Sequence, residues 1–179
     1  MARLNEVARR HLMKGGETTT VEFKVAAPRP VEMAERFCGM ANAQGGIIII
    51  GVEDVEHKVV GMPDECMAMT KDVILRAARQ IIKPVLVLDP PEPEIYEIDG
   101  KQLVVANVPP NNVSVYQSGG IFWVRRGTHT VPLSVSELIE MANDHRLVHR
   151  ELLLARKAAM NDIDLEKVEA YLRQRSTTI

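Results

Sequence analysis

The chain has 179 residues, 46% of them hydrophobic and 26% charged, with a net charge of −2. That composition suits a globular domain with a buried core, and the length suits one domain with a small appendage. No apolar run approaches the roughly 18 residues that a membrane span requires, and the N-terminus lacks a signal peptide's apolar centre, so the expected setting is cytoplasmic with no membrane partner. With so little net charge, a phosphate-bearing partner would have to be read by a local patch rather than by bulk attraction. Cys38 and Cys66 show neither C-x-x-C nor zinc spacing, and the expectation is a pair of reduced thiols.

Residues 1–12 mix Leu4, Val7, Ala8 and Leu12 with Arg3, Arg9 and Arg10, which reads as a short basic solvated helix, with a transit peptide as the other reading. Residues 18–26 alternate: Val21, Phe23 and Val25 on one side, Thr20, Glu22 and Lys24 on the other. This predicts a half-buried strand with a polar face. Pro28 and Pro30 can open a helix over 31–43, where Val31, Ala34, Phe37, Cys38 and Ala41 recur at helical spacing, and Gln44-Gly45-Gly46 ends it. The β-branched run 47–52 predicts a strand covered on both faces. Residues 58–61 read as a short return strand, and a second helix fits about 68–82, stopped by Lys83-Pro84.

The stretch 89–99 is acidic and proline-rich, without lysine or arginine, and reads as a loop running into a strand. Gly100 turns the chain into a strand at 102–108; an irregular loop follows over 109–119; a strand over 121–126 ends on Arg125 and Arg126, with a turn at Gly127. Ser134-x-x-Glu137 is a capping box that opens a helix. Further helices fill the remainder, with a break near Asn161, a cap at Asp162 or Asp164, and Leu165, Val168 and Leu172 on one face.

Common phosphate motifs are missing. The glycines of 45–46 are not followed by Lys-Ser/Thr, and no G-x-G-x-x-G lies between a strand and a helix. His145 and His149 stand four apart without the glutamate of H-E-x-x-H and read as surface histidines. The carboxylates are more informative. If the first strand lies beside the apolar strand, Glu22 and Asp54 converge, and Glu17 joins them from the preceding loop. Three acids at one point would hold Mg²⁺ or Mn²⁺ and serve phosphodiester chemistry. The other reading of the same residues is a solvated strand face carrying Glu22 and Lys24. Arg125 and Arg126, adjacent on a strand, point to opposite faces, which would leave one for a phosphate and one for the fold.

Read in order, GETTTVEFK (16–24), AERFCGMANAQGGIIIIGVED (34–54), VVGM (59–62), VVANVPPN (104–111) and GIFWVRRGTHTVPLSVSEL (120–138) resemble the Schlafen AlbA-like domain. The resemblance implies an α+β fold, a mixed β-sheet flanked by helices, over residues 13–146; residues 147–179 read as a C-terminal helical extension. It implies a nucleic-acid partner, DNA or RNA, and a role as a transcriptional regulator or the N-terminal part of one. The residues expected to meet nucleic acid are Lys14, Lys24, Arg125 and Arg126. In the animal Schlafen nucleases a three-carboxylate site cleaves structured RNA, and Glu17, Glu22 and Asp54 match its positions. The alternative function is therefore a Mg²⁺- or Mn²⁺-dependent endoribonuclease. Those nucleases join two such lobes whereas this chain has one, so a homodimer is expected, with Leu152, Leu153, Leu154 and Val168 as a plausible contact surface.

Overall fold

The computed structural model describes residues 15–53, 56–111, 113–147 and 163–176. These fall into two compact units divided after Leu147. The expected helix over 1–12, Lys14, Asp54, His149 and Leu152–Leu154 lie outside the described residues.

The first unit is built on a four-stranded mixed sheet in the order β1-β2-β5-β4, with β1 Val21–Lys24, β2 Gly46–Ile50, β4 Glu94–Ile98 and β5 Lys101–Val108. β1 and β2 run parallel, Glu22 opposite Ile48, because α1 (Pro30–Ala41) forms the crossover between them. β5 then pairs antiparallel with both β2 and β4. The sheet is apolar on both faces. On one, Ile48, Ile50, Val104 and Ala106 pack with Met33, Phe37 and Cys38 of α1 and Ile74 of α2 (Asp64–Arg76). On the other, Val21, Phe23, Ile47, Ile49, Leu103 and Tyr96 form a second buried cluster. The β-branched run at 47–50 is thus covered on both sides, as its composition predicts.

Several elements depart from the sequence expectation for local reasons. β1 is four residues long and flanked by bends, so the alternation of 18–26 overstates it. Glu22 is not on a solvated face: its face of β1 is the one that α1 covers. α2 begins at Asp64, ahead of the predicted 68, because Pro63 holds the extended N-cap backbone and Asp64 and Glu65 suit the first turn. Asp64, Glu65 and Cys66 of that turn are exposed, so its start carries no apolar periodicity. α2 continues into a π-helical turn over Ala77–Ile81, followed by β3 (Ile82–Lys83). The return strand expected at 58–61 is reduced to a bridge between Val52 and Val59.

β3 pairs with β6 (Gln117–Ser118) inside the predicted loop 109–119. β7 (Trp123–Arg126) and β8 (His129–Pro132) make a hairpin in which Arg126 stands opposite His129 across the Gly127-Thr128 turn. β8 was legible only as a turn signal, since four half-exposed residues ending in proline carry little strand character. The hairpin packs on α1 at Gly39, where a Cβ would lie 2.7 Å from Thr130 Cγ2; only glycine permits that approach. At the end of α1, Gly45 adopts positive φ and donates its N–H to the Met40 carbonyl. α3 (Val135–Asp144) starts with the expected capping box between Ser134 and Glu137.

In the second unit, α4 spans Leu165–Ser176. Asp164 caps it, accepting the Lys167 N–H at 3.1 Å, and that bond holds the Asp164 carboxyl below its ordinary range. Among the described residues no helix is long and apolar enough to cross a membrane.

Candidate nucleic-acid interface

Glu22 lies at the edge of the sheet and is 4% exposed. A carboxylate so buried must be compensated by charge and hydrogen bonds, and three cations supply this. Arg36 Nε of α1 donates to Oε1 at 2.5 Å, Arg125 of β7 donates to Oε2, and Lys24 Nζ lies 3.5 Å from Oε1. Arg125, 3% exposed, also donates to the carbonyls of Thr18 and Val21. Its guanidinium thereby joins the hairpin to the outer edge of β1.

Glu17 belongs to the same assembly. Its Oε1 accepts the Phe23 N–H at 3.0 Å and lies 3.5 Å from Lys24 Nζ. Lys24 donates to its neighbour's carbonyl, Phe23 O, at 2.6 Å. Between α1 and the hairpin is a cleft of about 260 Å³, floored by Glu22 and Arg125 and walled by Glu35, Arg36, Thr128, His129 and Thr130. The hairpin tip is exposed from Arg126 to His129.

Arg126 points away from Arg125, as adjacent residues of a strand must. It is 56% exposed and pairs with Glu137. That guanidinium, with the hydroxyl and N–H of Ser134, holds the Glu137 carboxyl down at about 2. Asn42, just past α1, is 5% exposed and spans the site's back: its Nδ2 donates to the Tyr116 and Trp123 carbonyls and its Oδ1 accepts the Tyr116 N–H, all at 2.8 Å.

The structure thus brings Glu17, Glu22, Lys24 and Arg125 together and sets Arg126 on the opposite side of its strand. Arg36 is the participant that sequence reasoning missed. Its only signal was a charge one residue ahead of Phe37 on a helix otherwise buried along that stretch. His145, read as a surface residue, places its Nδ1 2.8 Å from the Ser114 carbonyl.

A divalent cation needs carboxylate oxygens turned toward it. Both oxygens of Glu22 and one of Glu17 are engaged by donors within the protein, and Asp54, the third expected ligand, lies outside the described residues. Among the described residues no group of three or more His, Cys, Asp or Glu side chains is placed to hold a metal ion.

Comparison with known proteins adds the family. No curated protein matches the chain. A crystal structure of the DIP2311 protein from Corynebacterium diphtheriae is similar in fold, with a TM-score of 0.54 and 15% identity. The match covers 76% of this chain but only 27% of that one, so the chain spans about a quarter of that protein's length. The family model for "Schlafen, AlbA_2" matches residues 17–134, which begins on Glu17, ends on the Ser134 cap and takes in the sheet, α1 and the β7–β8 hairpin. The chain therefore belongs to the Schlafen AlbA_2 family, which points to a nucleic-acid-binding domain.

Proposed function

We propose that this chain is a phosphate-reading nucleic-acid module whose contact element is the β7–β8 hairpin, with a regulatory rather than a hydrolytic role. The observation that carries the reading is the hairpin's construction. Its root is fixed to the sheet by the buried Arg125–Glu22 pair, while its tip exposes Arg126, Thr128 and His129. A two-stranded ribbon with a rigid base fits a nucleic-acid groove, and the Arg126 cation at its tip can meet a phosphate. Arg36, at 29% side-chain exposure, lines the cleft beside the hairpin, and Lys24, at 17%, stands on the same carboxylate, Glu22. Lys14 is the remaining candidate contact. Arg125 serves by holding the hairpin, since its donors are taken inside the protein. The opposite edge strand, β4, carries Glu94 and Glu97 and follows exposed Asp89 and Glu92, so a polyanion is directed away from it.

A dimer would present two such hairpins. The exposed Leu165, Val168 and Leu172 on α4 support that reading.

The test is binding of labelled duplex DNA and of a structured RNA, with EDTA and with Mg²⁺ or Mn²⁺, while product length is followed. Binding without cleavage in both conditions supports the module. Cleavage that needs the metal and disappears in Asp54→Ala would replace it with the endoribonuclease reading, with Glu17, Glu22 and Asp54 as ligands.

A further inference from the structure

We infer that Glu17, Glu22 and Lys24 form an edge clamp, which closes the open side of the four-stranded sheet and docks the hairpin there, and that the two glutamates act as counter-ions and backbone acceptors rather than as metal ligands. This does not depend on the partner proposed above.

Among the described residues β1 is an edge strand, paired with β2. Its carbonyls at Thr20 and Lys24 accept N–H groups from Ile47 and Gly51, so by alternation Val21 and Phe23 turn their backbone groups outward. An edge of this kind invites pairing with another strand unless it is blocked. Here the chain blocks it with its own side chains. The Val21 carbonyl takes the Thr18 N–H and Arg125. The Phe23 N–H goes to Glu17 and the Phe23 carbonyl to Lys24. Glu22, between them, faces inward and holds Arg125 and Arg36. One short segment thus closes the edge and anchors two other elements, α1 and β7, to it. Each acid has a partner that a cation would have to displace. Removing Glu22 from Arg125 would leave a guanidinium buried without its counter-charge, which is strongly unfavourable.

The experiment combines thermal unfolding with hydrogen exchange. In Glu22→Gln the midpoint should fall by on the order of 10 °C. The double change Glu22→Met with Arg125→Met should lose less than the two single changes added together, since no charge is then stranded. Wild-type midpoint should stay level as MnCl₂ is added. A saturable rise with Mn²⁺ that Glu22→Gln abolishes, with Glu22→Gln itself as stable as wild type or more so, overturns the clamp. If Glu22→Gln does not accumulate as folded protein, Glu17 decides. Glu17→Gln keeps an oxygen for the Phe23 N–H, so protection of that amide should persist, whereas Glu17→Ala should lose it at least tenfold. Equal Phe23 protection in wild type, Glu17→Gln and Glu17→Ala overturns the inference.

Discussion

Arg125 and Glu22, 103 residues apart in sequence, meet as a buried ion pair that joins the hairpin to the edge of the sheet. The guanidinium is used as a fork, with Nη1 on the carboxylate and Nη2 on the Thr18 and Val21 carbonyls. A lysine carries the charge but not the planar spread of donors. Arg125→Lys is therefore expected to cost about 1–3 kcal/mol, chiefly from the Thr18 carbonyl losing its guanidinium donors, since the Val21 carbonyl keeps the Thr18 N–H. Urea unfolding should show a lower midpoint with an unchanged slope. A loss below about 0.5 kcal/mol, the range of ordinary surface changes, would show that the fork is not needed.

Asn42 carries a similar burden through neutral groups. Its side chain satisfies both backbone groups of Tyr116 and the Trp123 carbonyl. Asn42→Ala should destabilise by about 3 kcal/mol, since the Tyr116 N–H and the Tyr116 and Trp123 carbonyls lose the side chain that bonds them. Asn42→Asp should be worse, because a carboxylate would face two carbonyl oxygens. Circular dichroism melts of the two variants should rank in that order, and the reverse ranking would contradict the assigned bonds.

Much of the fold was legible from the residues. The parallel β1–β2 neighbourhood followed from the length of chain between two apolar strands, α1 from its proline start and glycine end, and the α3 cap from Ser134 and Glu137. What was not legible depended on long-range contact. The alternation at 18–26 marks Glu22 as polar, and nothing local says that α1 and β7 will cover it. Arg36 and Arg125 look like any helix or strand-end arginine until α1 and β7 converge on Glu22. β8 has too few residues and too much exposure to announce itself. Glu17 and Glu22 were read as two of three metal ligands, and their contacts with Lys24, Arg36 and Arg125 became visible only with the side chains in place.

The Glu137 carboxyl sits at about 2, against an ordinary 4.5, held first by the Arg126 guanidinium and then by Ser134. A depressed acid contributes its stabilisation in full above its unfolded value and loses it as pH falls through the folded one. The start of α3 should therefore loosen between about pH 4.5 and 2, an effect weakened by salt because the pair is exposed. NMR titration of the Glu137 side chain should report the low value in wild type and a rise toward 4.5 in Arg126→Ala. No change in that variant would remove the pair.

Burial pushes the Cys38 thiol up to about 12, with the nearby Glu35 charge adding to it, while Cys66 is exposed. A thiol that stays protonated and out of solvent is a poor nucleophile. At pH 8 the native protein should react with one equivalent of a maleimide, at Cys66, and a second should react only in denaturant. Rapid labelling of Cys38 in the native state would contradict the packing of α1 on the sheet.

The most direct test of the nucleic-acid reading is the salt dependence of affinity for one duplex, measured in wild type, Arg126→Ala and Glu137→Gln. Each phosphate neutralised releases counter-ions, so log affinity should fall linearly with log salt over roughly 50 to 200 mM. Arg126→Ala should bind more weakly and reduce the slope by about 1. Glu137→Gln, which frees Arg126 from its acid, should bind more tightly at low salt. A flat salt response, or the same affinity in all three proteins, would contradict a phosphate-reading hairpin.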